Sequence, residues 1–191
     1  MPERPSQELV EPFVIAAHYS LPKVKEMYEQ HPELLNEKWA KFDESALAAA
    51  SHTGQCAIAE FLLAQGAPMV ICTAATLGRT EDVAAFLRED NSLANARGAH
   101  GIPILFHAAM SGNSDVTGLL LAHGGGEGIN DALHGAVMYN HVAMAQWLLA
   151  HGVTDANVLN YEGKTPLKVA IERGFSEMAG VLRAHGGVEQ V

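Results

Sequence analysis

Cysteine is scarce in this chain of 191 residues: Cys56 and Cys72 are too few for a disulfide framework or a cysteine-built zinc site. That scarcity points to a reducing compartment, so the cytoplasm is the expected location. Basic residues are also few, 12 Lys and Arg against 22 Asp and Glu, for a formal net charge of −10. No Lys/Arg cluster supplies the concentrated positive face that phosphate contacts require, which argues against a nucleic-acid partner and for a neutral or basic protein. Long apolar runs are missing as well. Nothing approaches the roughly 18 consecutive apolar residues of a membrane helix, and Met1-Pro2-Glu3-Arg4-Pro5-Ser6-Gln7-Glu8 holds no apolar signal core. A soluble, unexported protein is expected.

Catalytic signatures are equally absent: there is no HExxH, GxSxG, P-loop or dinucleotide glycine pattern. Gly124-Gly125-Gly126-Glu127-Gly128 follows a helical pattern, where a phosphate loop would follow a strand, and reads as a connector. Cys56 opens a helix whose dipole favours a thiolate, yet no neighbouring base marks it as a nucleophile, and Cys72 reads as a small core residue. No cofactor is implied and the chain is not expected to be an enzyme.

What the sequence does contain is repetition. A small pair followed, after two variable residues, by Gly or a substitute recurs six times: Ala16-Ala17 to Ser20, Ala50-Ser51 to Gly54, Ala74-Ala75 to Gly78, Ala108-Ala109 to Gly112, Ala136-Val137 to Asn140 and Ala170-Ile171 to Gly174. Apolar runs with helical spacing follow, as in Ile58/Phe61/Leu62/Leu63 to Gly66 and Met144/Trp147/Leu148/Leu149 to Gly152. Each unit therefore reads as helix, tight turn, helix, stop. Ser45, Asp131 and Thr165 before Pro166 suit first-helix N-caps. Thr80, Ser114 and Ser176, each followed by an acid, suit second-helix caps, and Gly66, Gly124, Gly152 and Gly186 suit left-handed stops.

Thr165-Pro166-Leu167-Lys168-Val169-Ala170 resembles the signature of the ankyrin-repeat family, with Asp131-Ala132-Leu133-His134-Gly135-Ala136 a looser copy. Asn140-His141 resembles the family's Gly-His turn, and His123-Gly124, His151-Gly152 and His185-Gly186 its second-helix ends. The resemblance implies an all-α solenoid with short β-turn fingers, in repeats at about 9–36, 37–66, 67–94, 95–126, 127–154 and 155–187, followed by a tail at 188–191. The aligned alanines are spaced 34, 24, 34, 28 and 34 residues apart, so long and short units alternate. Only the long intervals leave room for fingers, near 35–44, 94–102 and 155–164. A rod with one continuous core, polar end units and an open palm is expected.

By resemblance, the two residues after each small pair face that palm: His18/Tyr19, His52/Thr53, Thr76/Leu77, Met110/Ser111, Met138/Tyr139 and Glu172/Arg173. Tyr and Met supply rigid and adaptable contact area respectively. Packing against the next unit is the competing explanation for Leu77, Met110 and Met138. In the first finger, Trp39 and Phe42 between charges make either a binding hot spot or a staple to repeat two. The middle finger, with Arg97 and His100 as contact candidates, is glycine-rich and expected to be mobile; the third, around Tyr161, reads as structural.

Ten histidines raise the question of a metal. Equivalent positions in adjacent repeats lie roughly 8–10 Å apart, which keeps His123, His151 and His185 from sharing one ion. His107 and His134, in neighbouring slots, read as a buried hydrogen-bonded pair. No metal site is expected. The favoured function is a protein-interaction module, scaffold or regulator, monomeric or weakly dimeric, contacting its partner through Tyr19, Trp39, Phe42, His52, Leu77, Arg97, His100, Met110, Met138 and Tyr139. The alternatives are an enzyme or small-molecule binder using His18, His52, His107, Tyr19 and Tyr139, and a self-associating rod.

Overall fold

The computed structural model describes residues 4–190. Among them, twelve α-helices form six consecutive hairpins: α1 Gln7–Ala17 and α2 Leu21–Gln30, α3 Ala46–His52 and α4 Cys56–Ala64, α5 Ile71–Thr76 and α6 Thr80–Glu89. They continue as α7 Ile104–Ser111 and α8 Ser114–Ala122, α9 Ala132–Met138 and α10 Val142–His151, α11 Pro166–Glu172 and α12 Ser176–Ala184. The architecture is an all-α solenoid, as the resemblance implies.

Local chemistry explains the boundaries. Ser45 accepts the Ala48 N–H at 3.2 Å and Thr165 the Lys168 N–H at 3.1 Å, so two of the three expected first-helix caps form. Asp131 makes no side-chain cap and is itself helical in backbone. The second-helix expectation shifts by one residue. Thr80, Ser114 and Ser176 are first helical residues, and at α8 the cap is Asn113, whose Oδ1 accepts the Asp115 N–H at 2.9 Å. Gly66, Gly124 and Gly186 stop their helices at φ of 97°, 85° and 82°, where a Cβ would be strained.

The three fingers fall where the long intervals allow. The first is a hairpin of β1 Lys38–Trp39 and β2 Glu44–Ser45, pairing Lys38 with Ser45 and Trp39 with Glu44. The middle one is closed by the Gly98 N–H donating to the Ile102 carbonyl. Asn160 closes the third, its Oδ1 accepting the N–H groups of Glu162 and Lys164. An asparagine ties the second and third long loops to the ends of their own repeats. Asn95 donates to the Gly124 carbonyl and accepts from the Gly126 and Glu127 N–H groups, and Asn157 donates to the Gly186 carbonyl and accepts from the Val188 N–H.

The first helices stack in an unbroken inner row, whereas the outer helices pack most closely in couples, α2 with α4, α6 with α8 and α10 with α12. A row packed more closely inside than outside curls toward its inner side. The curl closes far enough for the Tyr139 hydroxyl, in hairpin five, to donate to the Thr53 carbonyl in hairpin two. The hollow is therefore not the open palm expected.

Nor is the core continuous. One apolar cluster runs from Val10 to Ala67 and a second from Ile71 to Leu182. Between them lies a buried polar seam: Ser51 Oγ donates to the Leu47 carbonyl and meets Thr73 Oγ1 at 2.8 Å, while Thr76 Oγ1 donates to the Ser51 carbonyl at 3.0 Å. These bonds satisfy groups whose burial would otherwise be costly, and they replace apolar contact between α3 and α5.

Candidate functional site

The inner face splits the expected contact residues into three kinds. Tyr19 is freely exposed, at 68%, and Phe42 at 47%. Trp39 instead packs partly buried on the first core cluster, edge-on to Phe42 at 4.8 Å, so one aromatic staples the finger while the other faces water. Met110 is 4% exposed, so almost none of its side chain is presented to a partner, and Leu77 packs partly buried on the first cluster. His141 lies close over the Gly112 turn, its Nε2 3.0 Å from the Met110 carbonyl, in space that a Cβ at Gly112 would enter. Tyr139 is spent on the bond to Thr53, and a Cβ on Gly54 would meet its ring at 2.5–2.7 Å.

Met138 is half-buried and lines a groove of about 610 Å³ with His52, Thr53, His100, Ile102, Pro103, Phe106, Asp131, His134, Leu159, Asn160 and Tyr161. Its lip carries two large apolar side chains open to solvent, Tyr161 at 94% and Leu159 at 49%. Tyr161, read from sequence as a structural finger residue, is thus the most exposed aromatic beside this groove. Of the five residues weighed for an enzymatic pocket, the groove takes in His52.

The middle finger, expected to be mobile, is tied at both ends of its turn. Arg97 donates to the Gly101 carbonyl at 2.9 Å and pairs with Glu127 at 3.0 Å. His100, at φ 57°, turns its Nε2 to within 3.3 Å of Glu44. The repeat between the two fingers has none of its own, and the middle finger leans into the space this leaves.

Glu44 is the least expected residue on this face. A finger glutamate should be solvated, yet the hairpin register folds it inward to 1% exposure. Its carboxylate lies 3.6 Å from His18 Nε2, 3.0 Å from His52 Nδ1 and 3.3 Å from His100 Nε2. Burial pushes the Glu44 carboxyl up, but the hydrogen bond from His52 and the charge that His52, His18 and His100 bear when protonated outweigh it and hold the group below the usual range. The rings pack edge to face, His18 on His52 at 5.0 Å and His52 on His100 at 4.9 Å. His18 and His52 occupy the same slot in successive repeats, so the sequence did carry a signal for their meeting.

One other sequence reading changes. His107 and His134 do not pair: His107 Nδ1 bonds Thr76 Oγ1 at 2.9 Å and His134 Nε2 bonds the Val158 carbonyl at 2.8 Å. Cys56 is not activated. Burial raises its thiol pKa and Glu60 adds to that, against a backbone hydrogen bond that lowers it, while burial pushes Cys72 up to about 12.

Comparison with known proteins agrees with the repeat architecture. The chicken (Gallus gallus) nuclear factor NF-kappa-B p105 subunit is 46% identical over 55 residues, 29% of this chain and 6% of that protein. The ankyrin repeat protein FPV014 of Fowlpox virus is 28% identical over 123 residues, 62% of this chain and 28% of the relative. The I-Kappa-B like protein C2 of Microplitis demolitor bracovirus is 33% identical over 57 residues, 30% and 32% of the two chains. The chain therefore spans about a third or less of the length of these relatives. A family model described as ankyrin repeats (3 copies) matches residues 69–153 and 105–190. With more than half of its length matched, this chain belongs to the ankyrin-repeat family, whose repeats are protein-interaction units.

Proposed function

We propose that this chain is a protein-interaction module that takes a basic, apolar-anchored segment of a partner protein into the groove between the middle and third fingers. The observation that carries this reading is the exposed pair Tyr161 and Leu159 at the lip of an apolar groove floored by Phe106 and Met138. A large aromatic beside a concave apolar surface is the usual composition of a binding hot spot. Asp131 in the groove lining and the net charge of −10 favour a basic segment. Phe42 and Tyr19 extend the contact surface along the inner face, and the free thiols of Cys56 and Cys72 suit a cytoplasmic setting.

The test is affinity capture from the native cell, followed by direct binding of the purified partner to the chain and to Tyr161→Ala with Leu159→Ala. Both side chains are exposed, so the variant should melt like the parent. The reading requires about a tenfold or greater loss of affinity. Unchanged affinity in a folded variant would move the interface elsewhere.

A further inference from the structure

The geometry points to a transition-metal site of the zinc class, built from His18, Glu44, His52 and His100 where the first and middle fingers meet the inner helices. Three of these residues, His18, Glu44 and His52, place one ligand atom each within 4.8 Å of one another, and His100 reaches the same carboxylate. A zinc ion with ligands near 2.05 Å in a tetrahedron separates its ligand atoms by about 3.4 Å. The separations of 3.6 Å from His18 Nε2 and 3.3 Å from His100 Nε2 to the Glu44 carboxylate bracket that edge.

Hydrogen bonding prepares two of the imidazoles. His18 Nδ1 lies 3.0 Å from the Val14 carbonyl, and His52 Nδ1, the atom that faces Glu44 at 3.0 Å, also lies 3.1 Å from the Ala48 carbonyl, each carbonyl four residues back on its own helix. A carbonyl accepts only, so each Nδ1 carries the hydrogen and the opposite nitrogen is left with a bare lone pair. Backbone carbonyls orient metal-binding histidines in just this way. The bare Nε2 of His18 then faces Glu44 Oε2, one acceptor against another. Glu44 Oε2 is buried and has no hydrogen-bond partner. Two opposed acceptors at the edge of the hollow require a positive centre between them, which is either a metal ion or an added proton on the imidazole.

Several features favour the metal. The ligands come from three separate parts of the chain, hairpin one, hairpin two with its finger, and the middle finger, and all converge on one carboxylate. His100 holds φ 57°, a conformation unfavourable for a residue with a Cβ, while directing its Nε2 inward. Imidazole nitrogens with a single carboxylate suit zinc, nickel, copper or iron(II) and disfavour calcium and magnesium, which prefer all-oxygen shells. The side chains of His18 and His100 are 26% and 38% exposed, leaving an entry path from solvent. Bound there, the ion would clamp the middle finger to the inner helices beside Phe42, whose ring stacks edge-on to His100 at 5.5 Å.

The experiment uses the full chain stripped with a chelator and then titrated with Zn²⁺ by calorimetry, and with Co²⁺ followed by visible absorption. One Zn²⁺ per chain is expected, with a Co²⁺ spectrum characteristic of four-coordinate nitrogen and oxygen ligation. His18→Gln and Glu44→Gln should each weaken Zn²⁺ by about tenfold or more. His151→Gln and His185→Gln, at exposed outer-helix ends, should leave it unchanged. Zn²⁺ should raise the melting temperature of the parent and not that of His18→Gln, whose partly exposed position keeps the fold even if Glu44→Gln does not. The inference is overturned if no Zn²⁺ binds, or if binding is equal in parent and His18→Gln. It is also overturned if Glu44 only partners protonated imidazoles, seen as Glu44-dependent histidine titration without any metal uptake.

Discussion

Acidification should loosen this protein through His107. Thr76 has one hydroxyl proton and donates it to the Ser51 carbonyl, so His107 Nδ1 must supply the hydrogen of the bond between the two side chains. The other nitrogen, Nε2, is therefore a bare acceptor; it is buried, has no partner, and sits where a Cβ on Gly98 would come within 2.5 Å. Burial, reinforced by the charge of His52 and opposed by the Ser51 backbone, holds the His107 pKa down to about 4 from an ordinary 6.5. The unfolded chain thus binds the extra proton first. The contribution is fully present above pH 6.5 and is lost progressively as pH falls toward about 4. At about 1.4 kcal/mol per pH unit, that gap amounts to about 3 kcal/mol. Urea unfolding at a series of pH values measures it, in the parent and in His107→Asn, whose amide nitrogen keeps a donor near the place of Nδ1 without titrating in this range. Every other titrating group is shared, so the parent should lose about 3 kcal/mol more than the variant across the window. Equal losses in the two proteins would refute the assignment of a neutral, unpartnered His107.

Two further substitutions test the curl and the boundaries. Gly54→Ala combines φ 62° with a Cβ 2.5–2.7 Å from the Tyr139 ring, and should destabilise by about 2 kcal/mol or more; Tyr139→Phe should cost only about 1 kcal/mol. Small-angle scattering of either variant should show a larger radius of gyration, and an unchanged one would mean that Tyr139 does not hold the hollow closed. Thr165→Ala removes both the cap to Lys168 and the bond to the Val188 carbonyl. Thermal unfolding should register about 1–2 kcal/mol, with hydrogen exchange rising first in α11 and α12.

The limits of sequence reading are clearest at Glu44. Its neighbours Lys38 and Asp43 do form the solvated ion pair expected of a finger, at 2.8 Å. Glu44 itself turns inward because its strand pairs with Trp39, and strand pairing sends successive side chains to opposite faces. A rule about backbone spacing separated His123, His151 and His185, and it did not anticipate that His18 and His52, one repeat apart, would lean together to 5.0 Å. Side chains span what the backbone keeps apart. Met110 misled for the opposite reason: its palm slot is equivalent to that of His52, but the side chain is buried, at 4% exposure.

By itself the sequence determined the six hairpins, the glycine stops of four of them and the alternation of fingered and fingerless repeats. Those features depend on contacts within a few residues: a Ser45 or Thr165 cap, a left-handed Gly66 or Gly124, the length of a connector. Tertiary structure alone decided the division of the core, the curl that brings Tyr139 to Thr53, and the gathering of three histidines around one buried carboxylate. Each of these joins residues from different repeats, and their distance depends on how many small rotations between hairpins add up, a quantity that no local pattern of residues encodes.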